Sequence, residues 1–132
     1  MGRALLATTV AAICVLAFVL AVIGSFLSPA VWHPLSVPFP VGSAVAVVSN
    51  IAIGVLGVRG AGSRLAPTLT ALIWLGVALL LGSQRAEGDL IVPGTWPGVV
   101  YLFAGTAAAA VPIAMAPRGA ARRTSTGRAS PA

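Results

Sequence analysis

Lysine is absent, acid is confined to Glu87 and Asp89, and the chain has one cysteine, one histidine and one tyrosine. Each shortage excludes something. Only 8% of the residues are charged, against about 25% in ordinary globular proteins, while 58% are hydrophobic. So few charges cannot cover the surface that a chain of this length exposes to water. A water-soluble fold is excluded, and the bilayer becomes the expected solvent. The single cysteine, Cys14, lies in an apolar run. It can form no disulfide within one copy and no CxxC redox pair, and it reads as a small packing residue. The net charge of +6 comes from eight arginines placed singly or in a short tail, without aromatic interleaving. That pattern carries no nucleic-acid module. Arginine without lysine, together with heavy use of Ala, Gly, Val and Pro, has the look of GC-rich coding.

Long apolar runs are what the chain does have. Residues 5–27, 41–58, 65–82 and 99–115 are free of charge, and about 20 such residues cross the ~30 Å hydrocarbon core as a helix. A cleaved signal peptide behind Arg3 would have an apolar stretch of only ~7 to 15 residues. The first run is longer, and Ala11, Ala12 and Ile13 before Cys14 make a poor lipoprotein cleavage site. Pro29, Pro34, Pro38 and Pro40 make 28–40 a loop. Pro67 falls in the first turn of the third run, where proline is tolerated, and Pro93 to Gly98 read as a turn before the fourth. The expected fold is all-α: four transmembrane helices in an up-down bundle over 1–116, followed by a disordered basic tail at 117–132. Arg3, Arg59, Arg64, Arg118, Arg122, Arg123 and Arg128 fall on one side of such a bundle and Arg85 alone on the other. Short cytoplasmic segments retain arginine, so both termini are expected in the cytoplasm and the protein in the plasma membrane. Trp32 and Trp96 then belong to the outer interface.

Helices in lipid associate through small residues and hydrogen bonds. Gly42, Ala46, Asn50 and Gly54 recur at i, i+4 and share one helix face. Weaker stripes are Ala17, Ala21 and Ser25; Thr68, Leu72 and Gly76; and Ala104, Ala108 and Pro112. Asn50 is the one amide inside the runs, and its donors and acceptor need partners where no water is present. It reads as an interhelical clasp, to a threonine hydroxyl or a freed carbonyl, or alternatively as a contact to substrate or ion. No Asp, Glu, Lys, Arg or His accompanies it inside a run.

The acids, Arg85 and His33 gather on the outer side. Three readings stay open for them: Arg85 pairing with Glu87 or Asp89 to pin the loop, a recognition patch for a membrane partner or lipid headgroup, or a catalytic or metal site built on His33, Glu87 and Asp89. Their spacing matches no metal-ligand pattern. The sequence Arg85, Glu87-Gly88-Asp89 and Pro93-Gly94-Thr95-Trp96 resembles a motif of an uncharacterised actinobacterial family of small four-helix membrane proteins, in which it also precedes the last span. The likeness extends over about residues 68–105. It implies the topology and the importance of this loop, and no activity.

Without charge inside the membrane and with little mass outside it, the chain reads first as an accessory or structural subunit of a larger envelope complex. Its partners are then the bilayer and another integral membrane protein; association with a second copy is left open, and no cofactor is implied. The alternative is a small transporter or lipid-handling protein. Small multidrug exporters match it in size alone, because they depend on a glutamate in the first span and residues 5–27 contain no acid. An enzyme is the third reading, disfavoured because one His, one Arg and two acids are a thin catalytic inventory.

Overall fold

The structure is a computed structural model, which describes residues 2–83 and 94–118. In chain order it contains α1 (Arg3–Leu27), a two-stranded antiparallel pair of β1 (Val31–Trp32) and β2 (Phe39–Pro40) flanking a 3-10 turn at Pro34–Ser36, then α2 (Val41–Ala61), α3 (Leu65–Gly82) and α4 (Trp96–Met115). All four helices are long and apolar enough to cross a membrane. At 1.5 Å per residue, α3 with its 18 residues spans roughly 27 Å and α1 with its 25 roughly 37 Å. The chain is a multi-pass helical membrane protein folded as a four-helix bundle.

α3 has the limits read from the sequence, and the other helices are longer. α2 runs through Arg59 and Gly60 and stops at Gly62, whose φ of +61° is left-handed and whose N–H returns to the Val58 carbonyl at 2.8 Å. A charge at a helix end does not break the helix, because arginine at the last turn suits the dipole; the left-handed glycine ends it. α4 starts at Trp96, so Trp96 to Gly98 form its first turn and not a turn before it. Pro97 fits there because first-turn N–H groups have no intrahelical partner. The proline-rich segment is more ordered than a plain loop. Val31 pairs with Pro40 and Trp32 with Phe39, and Val41 N–H donates to the Ala30 carbonyl at 3.1 Å.

α1 and α3 run in one direction and α2 and α4 in the other. α2 touches the other three helices, and its most extensive contact is with its parallel neighbour α4; α1 and α4 share the least. The interior is built from small residues, Ala17, Ala21, Ala46, Ala66, Ala78 and Ala108 among them, with two aromatics, Trp74 and Tyr101. Large side chains point outward: Val48 is 69% exposed, Leu80 70% and Phe103 76%. In water this distribution would present an aggregating surface. In hydrocarbon it costs nothing, and close backbone approach supplies the packing.

Glycines set the interhelical distances. A methyl on Gly105 of α4 would overlap Cζ2 and Cη2 of Trp74 in α3, and one on Gly54 of α2 would overlap Cγ of Pro112 in α4. At Gly42 it would fall 2.5 Å from the Ser28 Cα, just after α1. The expected stripe on α3 is not the buried one. Leu72 is 60% exposed and Gly76 is exposed, whereas Ala66, Thr70, Trp74, Val77 and Ala78 face inward. The choice is physical, because the indole of Trp74 fills the gap that Gly105 leaves.

Candidate functional site

Asn50 and Gly105 are each the tenth residue of their helix, so in the parallel α2–α4 pair they lie at the same depth, near the middle. The Asn50 Nδ2 donates to the Gly105 carbonyl at 2.9 Å. That carbonyl has a second lone pair beyond its helical bond, so the clasp disrupts nothing in α4. Gly105 is thus a node: its oxygen takes the amide from α2 and its bare Cα takes the indole from α3. The other members of the α2 face divide between neighbours. Gly42 meets the end of α1, Gly54 meets Pro112, and Ala46 sits in the core with Ala21, Trp74, Val77, Ala78 and Tyr101.

A second polar group lies closer to the end that carries the β pair. Ser25 donates to the Ala21 carbonyl at 2.8 Å. Its only proton being so used, its oxygen accepts from the Tyr101 hydroxyl at 3.1 Å, and the same phenol lies 3.4 Å from the Ala21 carbonyl. Tyr101 packs over Gly24, and its ring stands 5.5 Å from that of Trp74, tilted by 46°. Two buried atoms, Ser43 Oγ and Trp74 Nε1, meet no hydrogen-bond partner among the described residues. Thr8, Thr9, Thr68 and Thr106 return their hydroxyls to carbonyls of their own chain four residues back, which satisfies them without a partner helix. Sequence reasoning missed Trp74 and Tyr101. The signal was there in the pairing of a polar aromatic with a glycine four positions on, Tyr101 and Gly105; of the stripe expected on α4, Ala108 and Pro112 are buried, and Gly105 takes the place of Ala104.

The outer candidates are partly described. His33 is exposed at the start of the 3-10 turn, and Trp32 and Trp96 are 64% and 49% exposed at the same end of the bundle. Arg85, Glu87 and Asp89 lie outside the described residues. Among the described residues no three His, Cys, Asp or Glu side chains come together as metal ligands. Cys14 is half-buried and free. The cavities are shallow grooves on the outer faces. One of about 530 Å³ runs between Leu20 and the Val45, Val48, Ala52 side of α2, and another of about 280 Å³ lies between Leu75 and Leu79 of α3 and Leu102 and Phe103 of α4. Their linings suit hydrocarbon.

Chemically the interior offers amide, hydroxyl and indole groups, with no carboxylate, imidazole or amine among the described residues to move a proton. Comparison with protein-family models, with curated proteins and with solved structures finds no match.

Proposed function

We propose that the chain is an accessory or structural subunit of a larger envelope membrane complex, set in the plasma membrane with both ends cytoplasmic. One observation carries this reading. The interior amide is spent on holding helices together, Asn50 to the Gly105 carbonyl, while the broad apolar faces point outward. With that amide bonded between helices, the outer faces are what is left for recognition. Kinship with the actinobacterial four-helix family is part of the same proposal and rests on the motif from Arg85 to Trp96. The test is a tagged full-length chain, cross-linked in cells and purified in mild detergent. A membrane protein recovered in stoichiometric amount, and lost when Val48 and Phe103 are replaced by Ala, is the expected result; repeated recovery of the chain by itself would overturn the assignment.

The outward grooves favour a second reading, lipid handling. Proteoliposomes that scramble or carry lipid with the wild-type chain, and cease to with Asn50→Leu, would support it against the subunit role.

A further inference from the structure

All described charge is positive and gathers at one end of the bundle. Arg59 is in the last turn of α2, Arg64 immediately precedes α3, and Arg118 follows α4. The Arg64 Nε donates to the Ala116 carbonyl at 3.3 Å, which draws the α2–α3 corner against the end of α4. That carbonyl carries part of the negative pole of α4, a natural seat for a cation. Only one of the guanidinium donors is used there; the rest meet no acceptor among the described residues. Arg59 and Arg118 are exposed. No acid is described at this end, and the two acids of the chain, Glu87 and Asp89, fall between Ser83 and Gly94, which flank the opposite end.

We propose that the corner of Arg59, Arg64 and Arg118 binds the phosphate headgroup of an acidic phospholipid, with an acyl chain lying along Leu65 and Met115. The charge argues for an anion, and the planar guanidinium fork suits phosphate oxygens. The apolar neighbours argue for a lipid over free phosphate. Leu65 follows Arg64 directly and is 62% exposed, and Met115 precedes Ala116 and is 71% exposed, so hydrocarbon begins one residue from the charge. Arg3 belongs to the same end but not to the corner. Gly60 packs against Thr9, which leaves Arg3 roughly 9 Å further along the axis of α1.

The proposal requires neither a partner nor an orientation, so it stands or falls apart from the subunit role. The full chain is purified in a nonionic detergent, incubated with equimolar phosphatidylglycerol and phosphatidylcholine, and read by native mass spectrometry. Phosphatidylglycerol should be retained preferentially, and the preference should fall roughly fivefold for each arginine removed, the factor expected for an arginine at an anionic headgroup. R59Q/R118Q leaves the Arg64 bond intact and keeps the test open should R59Q/R64Q/R118Q fail to fold; R3Q should leave the preference unchanged. Equal retention of the two lipids by the wild-type chain, or a preference undiminished in R59Q/R118Q, would overturn the proposal. Loss of the preference in 10 mM inorganic phosphate at constant ionic strength would also overturn it, by marking a site for the free anion.

Discussion

At Gly105 one methyl group would collide with a rigid indole, and at Gly76, on the outer side of α3, it would meet nothing. That contrast supplies a graded test of how the bundle is held. Gly105→Ala and Gly54→Ala should destabilise by about 1 to 3 kcal/mol, the usual cost of overpacking. Gly24→Ala, whose methyl would sit 3.3 Å from the Tyr101 hydroxyl, should cost less, and Gly76→Ala should be neutral or slightly stabilising because alanine is the better helix former. Asn50→Leu forfeits one interhelical hydrogen bond in apolar surroundings, worth about 0.6 to 1.7 kcal/mol. Thermal unfolding in one detergent, followed by circular dichroism, gives the order; Gly76→Ala falling as far as Gly105→Ala would refute the packing described here. Asn50 was legible in the sequence because a lone amide in hydrocarbon must find a partner. The identity of that partner was not, since a main-chain carbonyl leaves no mark in the residue string. Trp74 was hidden for a related reason: two tryptophans of this chain lie exposed at one end of the bundle, and only the hole at Gly105 shows that the third turns inward.

Helix existence was legible from apolar length alone, whereas helix ends depended on single backbone conformations. Gly62 and Leu35 both occupy the left-handed region, at φ of +61° and +53°, but only one of them is glycine. Gly62→Ala places a Cβ where a left-handed conformation penalises it by roughly 1 to 2 kcal/mol. It should destabilise by about that amount, through the end of α2 and not through any lost contact, since nothing lies within 4 Å of the added atom. Leu35 is 97% exposed, so Leu35→Gly removes little packing and relieves the same conformational penalty. Against the larger entropy that glycine brings to the unfolded chain, the net change should lie between zero and about 1 kcal/mol of stabilisation. The two substitutions therefore differ in sign, and hydrogen exchange at the Gly62 amide and at Val37, which donates to the Pro34 carbonyl at 3.0 Å, localises each effect. Equal destabilisation by both would mean that the tip of the β pair does not hold the conformation described. The prolines of this segment announced a loop correctly, but not that Pro40 would stand at the edge of a strand pair, where its missing N–H costs nothing.

For the molecule as a whole, the bundle separates its described charge by geometry: Arg3, Arg59, Arg64 and Arg118 at one end, the exposed tryptophans Trp32 and Trp96 at the other. This separation was readable in the sequence because helices of similar length must alternate in direction. The order of neighbours around the bundle, with α2 beside α4, was not, because apolar helices in lipid have no hydrophobic preference for one another. The proposed orientation rests on arginine counting, with seven residues against Arg85 alone. Alkaline phosphatase fused after residue 132 should be inactive and a fluorescent protein fused there bright, with the reverse for insertions after Ser36. The margin makes a stronger prediction. R59Q/R64Q reduces the seven to five, still well ahead of one, so the fusions should report the same orientation even though the α2–α3 corner has lost its charge. If that double variant inverts or splits between orientations, the Arg59 to Arg64 corner holds the topology by more than its share of charge. R64Q by itself, which removes the bond to the Ala116 carbonyl and one charge, would then separate the contact from the charge of Arg59.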